Sequence, residues 1–93
     1  MTIPFQVKGE GQYALVLLLT HSWDYGTFQF EVDGEALDEP MDLYSTSVET
    51  KQHAFEAREF AAGPHTLTVR NIGKNAASEG YFFGLDGMYL SKE

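Results

Sequence analysis

Four aromatic side chains near turn signals, Trp23, Tyr25, Tyr44 and Tyr81, are the residues of this chain best suited to recognising a ligand. An indole or phenol face can stack on the C–H face of a sugar ring while a neighbouring polar group bonds the hydroxyls. Asn75, with Ser78 and Glu79, lies in a polar stretch bounded by Gly73 and Gly80 that offers such groups. Trp and Tyr also close the ends of sandwich cores, so each of the four has a packing role open to it as well.

Signatures of catalysis are missing. The sequence has no Gly-x-Ser-x-Gly elbow, His-Glu-x-x-His pair, Walker loop or dinucleotide fingerprint, and without cysteine it has no thiol nucleophile or thiolate zinc site. His21, His53 and His65 are scattered along the chain, which favours hydrogen-bonded structural roles over a shared metal or a general base. His65, just after Gly63-Pro64, is placed to cap a turn. Nothing in these motifs asks for a cofactor.

Glycosidase chemistry needs two carboxylates across a sugar, and fourteen Asp and Glu guarantee coincidental pairs. Glu35, Asp38 and Glu39 fall in one turn-rich stretch and read as a solvated acidic edge. Asp24, Asp42 and Asp86 are set among aromatic or apolar neighbours, where a carboxylate is expected to accept backbone N–H groups. Calcium at these loops lacks the Asp-x-Asp-x-Asp spacing that would support it. For Asp86 the expected donors are nearby backbone or hydroxyl groups, among them N–H groups freed by a bulge at Gly87.

The elements that position these residues are strands. With 93 residues, 43% hydrophobic and 14% aromatic, the chain has room for one core and enough apolar content to fill it, so residues 1–93 are expected to form a single domain. Alternation of apolar and polar side chains predicts a strand over 25–33, with Phe28, Phe30 and Val32 inward, closed by the Asp33-Gly34 hairpin signal. A short return strand follows from Glu35. Residues 13–20 are apolar on both faces and read as a central strand. Further strands are expected over 52–60, over 65–72 with Leu67 and Val69 inward, and over 81–90, where the apolar phase slips near Gly87. These segments, separated by Gly- and Pro-containing turns and with scarcely any helical spacing, predict an all-β fold, an antiparallel β-sandwich of jelly-roll type.

Charge narrows the partners. A formal charge of -8 disfavours phosphate backbones and anionic headgroups. The longest apolar run, residues 13–19, is far short of the roughly 20 residues of a bilayer helix, so neither nucleic acid binding nor membrane insertion is expected.

The order Trp23-Asp24-Tyr25-Gly26, Val32-Asp33-Gly34, Asp42-Leu43-Tyr44, Ala62-Gly63-Pro64-His65-Thr66-Leu67, Gly73-Lys74-Asn75, Ser78, Gly80-Tyr81 and Gly84-Leu85-Asp86 resembles the β-sandwich accessory domains near the C-termini of bacterial glycoside-hydrolase-like proteins. These are similar in outline to galactose-binding-like, jelly-roll carbohydrate-binding modules. The resemblance runs from about Gln12 onward and implies an extracytoplasmic, non-catalytic role beside an enzyme. It implies either glycan binding or packing against a catalytic domain or neighbouring subunit. The reading from the residues is thus a carbohydrate-binding accessory module with Trp23, Tyr25, Tyr44, Asn75 and Tyr81 as ligand contacts. Its alternative is an interaction or self-association module using an apolar face of residues 13–19 or 82–90.

Overall fold

Period-two alternation decides which side chains are buried. In the strand Thr27–Val32 the even positions Phe28, Phe30 and Val32 are buried and the odd ones only partly so. In this computed structural model, which describes residues 1–92, eight strands follow in order: β1 (Thr2–Val7), β2 (Gly11–His21), β3 (Thr27–Val32), β4 (Glu35–Asp42), β5 (Glu49–Ala54), β6 (Arg58–Phe60), β7 (Gly63–Gly73) and β8 (Leu85–Lys92).

The strands form two antiparallel sheets. One has the order β1-β7-β3-β4. In the other β2 is central, with β8 along one edge and β5 and β6 paired in succession along the opposite edge. The chain crosses between sheets at each connection except the β3–β4 hairpin and the β5–β6 break, in the manner of a jelly roll. Leu15, Leu17 and Leu19 of β2 enter the core with Phe28, Phe30 and Val32 of β3, Leu67 and Val69 of β7, and Phe55 and Phe60. All five residues that alternation marks as core, Phe28, Phe30, Val32, Leu67 and Val69, are buried.

Four features of the chain differ from the sequence reading. β1 carries Pro4, which weakens a strand signal but is tolerated where β1 pairs with β7 alone at the sheet edge. The single strand expected over 52–60 is two, because the outer chain carries one residue more than β2 between the pairs Val16–Ala54 and Tyr13–Arg58. Phe55 turns into the core at this break, and its N–H still donates to the Leu15 carbonyl at 2.9 Å. The return strand from Glu35 runs on to Asp42, with the Gln29 amide bonding the carbonyls of Leu37 and Asp38 where the register shifts. The last strand starts at Leu85 rather than Tyr81.

The bulge expected near Gly87 is present, since Leu18 pairs with Gly87 and Leu19 with Leu85, leaving Asp86 as the extra residue. Of the two kinds of donor expected, hydroxyls serve it and not N–H groups freed by the bulge. Asp86 is exposed, and its Oδ2 accepts from the hydroxyls of Thr20 (2.8 Å) and Thr50 (3.1 Å), tying β8 to β2 and β5. Bulging moves the carboxylate beside the side chains of the adjoining strands instead of over its own ladder.

At the opposite end of the sandwich, Asp33 (φ 52°) and Gly34 (φ 86°) form a tight hairpin turn with positive φ at both central residues. His65 pins it. Its Nε2 bonds the Ala61 carbonyl at 2.7 Å and its Nδ1 bonds Asp33, whose other oxygen accepts the Thr66 N–H at 2.9 Å. A carbonyl and a carboxylate only accept, so the geometry is that of an imidazolium donating from both nitrogens. The His65 pKa is accordingly raised above 6.5, first by the Ala61 carbonyl and then by Asp33. For Asp33 burial opposes ionisation, but the bonds from His65 and Thr66 and the charges of His65 and Arg58 outweigh it and lower the pKa below 3.8.

Two outcomes follow from this packing. Phe30 is 1% exposed, so Phe30→Ala should cost about 3–5 kcal/mol in chemical denaturation. The His65–Asp33 pair should stabilise the fold most between the two unfolded-state values. His65, with its raised pKa, contributes fully below 6.5 and loses that contribution as pH climbs through the folded value. Asp33, with its lowered pKa, contributes above 3.8 and loses it as pH falls through the folded value. Melting temperature followed from pH 3 to 9 should therefore show a fall on each side that is flattened in His65→Gln.

Candidate functional site

Strand direction brings three connections to one end of the sandwich. β2 ends at His21, paired with Glu49 at the start of β5; β7 ends at Gly73, paired with Thr27 at the start of β3; and β8 begins beside Leu19. The loops 22–26, 43–48 and 74–84 must therefore meet there, while the short connections 8–10, 33–34 and 61–62 lie at the other end.

Backbone bonds lock the three loops together. The N–H groups of Ser22 and Ser45 bond the carbonyls of Leu43 and Ser22, at 3.0 and 3.1 Å, and Leu43 donates to the Gly26 carbonyl at 3.1 Å. The long loop joins in through Glu79 N–H to the Trp23 carbonyl (3.1 Å), Phe82 N–H to the Asp24 carbonyl (3.0 Å) and Gly26 N–H to the Phe82 carbonyl (3.1 Å). A side chain at Gly80 would place its Cβ 2.9 Å from the Asp24 carbonyl oxygen, so glycine is what lets the loops approach this closely.

Ser78 is the polar node of this arrangement. Only 4% exposed, it bonds the carbonyls of Tyr25 (2.7 Å) and Gly80 (2.9 Å) through Oγ and lies 3.3 Å from the Gly80 N–H. Lys74 bends back to donate to the Ser78 carbonyl at 2.9 Å. Phe83 anchors the loop in the core, its ring centroid 4.9 Å from that of Phe28.

The five residues singled out from sequence all belong to this end, but in two different settings. Trp23 (46% exposed) and Tyr81 (58%) present their rings to solvent. Tyr25 is half-buried and packs against the core, and Tyr44 is half-buried beside Ser22, to which it is bridged. Asn75 is engaged within the protein: its Nδ2 donates to Asp42 Oδ2 at 2.8 Å and its Oδ1 accepts the Ala77 N–H at 2.9 Å. Asp42 behaves as expected of a loop-ordering carboxylate, accepting the Tyr44 N–H at 2.9 Å. Asp24 does not. Its backbone carbonyl makes the bond to Phe82, and among the described residues its carboxylate has no hydrogen-bond partner.

Sequence reasoning missed Phe82, which is 64% exposed and stands beside Tyr81. The signal was available in Gly80-Tyr81-Phe82-Phe83-Gly84: with Phe83 committed to the core, its neighbours in an extended segment face outward. His21 closes β2 below the loops. Burial, then Lys51, lowers its pKa below 6.5 against the opposing pull of Glu49 and Asp42, so it is neutral at pH 7. Two concavities lie elsewhere, along the flanks of the sandwich. One of about 330 Å³ opens between β4 and the β5–β6 break, beside Asp38 and Arg58; the other, of about 290 Å³, lies between β1 and β8 beside Phe5 and Tyr89. Among the described residues no three His, Asp or Glu converge on a metal position.

Neither a protein-family profile nor a curated protein sequence matches this chain. A solved structure does match: a xanthan lyase from Paenibacillus, with a TM-score of 0.88 at 23% sequence identity. The likeness takes in 99% of this chain and 9% of the lyase chain, so the β-sandwich described above corresponds to a small part of a much longer enzyme.

The site's rigidity depends on Ser78. Ser78→Ala would remove the hydroxyl whose single proton the part-buried carbonyls of Tyr25 and Gly80 share, and should cost about 1–3 kcal/mol in urea denaturation. Hydrogen exchange should quicken first in loop 74–84.

Proposed function

We propose that this chain is a non-catalytic accessory module that binds a carbohydrate of a glycan-degrading system. The observation that carries the reading is the exposure of Trp23, Tyr81 and Phe82 on loops cross-braced by backbone bonds. An exposed aromatic on an ordered loop loses little conformational freedom when a ring stacks on it, so more of the contact energy appears as affinity. Trp23 and Tyr81 form the platform, with Phe82 beside it. Tyr25, Tyr44 and Asn75 hold the loops beneath. The likeness to a segment of a xanthan lyase supports an accessory setting beside a polysaccharide-degrading enzyme. The carboxylates of Asp42 and Asp86 are occupied by internal donors, which supports binding over hydrolysis.

A second reading has its own observation. Ala14 and Val16 alternate with the core residues Leu15 and Leu17 and so lie on the outer face of the β2 sheet, where Tyr89, paired with Val16, is 47% exposed. This face would serve packing against a catalytic domain or a second copy of the chain. Light scattering that gives a dimer at micromolar concentration, abolished by Tyr89→Ser, would favour it.

Affinity electrophoresis through polysaccharide gels tests the first reading. The parent chain should be retarded by at least one glycan, and Trp23→Ala should weaken that binding tenfold or more, about 1.4 kcal/mol, with its melting temperature little changed. A folded parent that migrates freely through every gel would remove the glycan reading.

A further inference from the structure

We infer that the loop end selects uncharged glycans and rejects those bearing carboxylate or sulfate groups. This rests on the glycan-binding reading above and adds the class of sugar. Among the described residues, the three loops and the strand ends that carry them hold five carboxylates, Asp24, Asp42, Glu49, Glu79 and Asp86, and two ammonium groups, Lys51 and Lys74. Each ammonium already has an acceptor within the chain. Lys74 is turned inward on the Ser78 carbonyl, and Lys51 lies 3.7 Å from Glu49. His21 stays neutral at pH 7.

The other four lysine and arginine side chains cannot make up the difference. Arg58 is paired with Glu35 at 2.7 Å and Arg70 with Glu31 at 3.3 Å. Lys92 pairs in register with Tyr13 near the far end of β2, and Lys8 follows Val7 at that same far end. An acidic sugar stacked on Trp23 or Tyr81 would therefore bring its anion toward Asp24 and Glu79, where carboxylates outnumber ammonium groups, and shed part of its hydration to do so. An uncharged pyranose meets the opposite situation. Its C–H face covers the rings, and its hydroxyls donate to acceptors already present, foremost the Asp24 carboxylate, in charge-assisted hydrogen bonds.

The test compares mobility in gels of mixed-linkage glucan and galactomannan, which are uncharged, with gels of polygalacturonate and alginate, which are anionic, each against a gel without polysaccharide. Retardation is expected in an uncharged gel and in neither anionic gel, unaltered between 10 and 150 mM salt. Retardation by an anionic gel that weakens with salt would overturn the selectivity while leaving glycan binding intact, because screening over about 8–10 Å acts on charge attraction and not on stacking. Free migration in all four gels would overturn both. A charge-altered variant, Asp24→Asn with Glu79→Lys, should gain at least tenfold in retardation by polygalacturonate at low salt. If the variant folds, as its melting curve reports, and gains nothing, charge is not the barrier and the inference fails. If it does not fold, the salt dependence of the parent decides.

Discussion

The structure depends on β2 being buried on both faces while hydrogen-bonded along both edges. Leu15, Leu17 and Leu19 fill the core, and Ala14 and Val16 are buried on the other face under their cross-strand neighbours. A strand in this position has its register fixed by packing, because a slip of one residue would exchange the two faces. From that register the rest follows. β5 and β6 take one edge and β8 the other, and the positions at which they start, beside His21 and Leu19, fix where loops 43–48 and 74–84 must converge. The site is thus placed by strand endpoints, not by any affinity between the loops themselves.

Convergence alone would leave three floppy connections. Ordering each loop residue costs about 1–2 kcal/mol of backbone entropy, and these loops offset it by bonding one another's main chains, with a buried serine hydroxyl and the Asp42–Asn75 contact completing the set. Main-chain donors and acceptors spent in this way leave side chains to face solvent. That is why Trp23, Tyr81 and Phe82 are exposed on a rigid base: their backbones are committed, and in the long loop Phe83 has taken the inward position.

Much of this was legible in the residues. The alternation of Phe28, Phe30 and Val32, the two-faced run of β2 and the Asp33-Gly34 turn specify strands because burial and turn chemistry act on neighbours in sequence. The phase slip at Gly87 likewise revealed the bulge. What stayed hidden depends on contacts distant in sequence. β1 is a strand because β7 offers it an edge, in spite of Pro4, and the break between β5 and β6 is a mismatch against β2 that no local pattern records. At the site, sequence located all five residues at loops or strand ends but could not sort exposed Trp23 and Tyr81 from half-buried Tyr25 and Tyr44, since that depends on which loops lie over which. Which hydroxyls bond Asp86 was hidden for the same reason: Thr20 and Thr50 reach it from strands far away in the chain.

The remaining surface limits how such a module can meet other molecules. Exposed strand edges invite further strands, and each edge here is interrupted. Pro4 lies in β1 and Pro40 in β4, the two edges of the first sheet, and neither has an N–H to offer an incoming strand. In the second sheet β5 and β6 are separated by the break at 55–57, and β8 bulges at Asp86. Edge-to-edge addition is therefore disfavoured on all four sides. Contacts are directed to the places where side chains, not backbone, are presented: the aromatic loop end and the outer face of the β2 sheet. The two surfaces are separate, one at the strand termini and one across the strands, so a neighbour seated on Tyr89 would leave Trp23 and Tyr81 free. The two contacts proposed above, packing against a larger protein and binding a glycan, would then use different surfaces, separated by the topology of β2 and its neighbours.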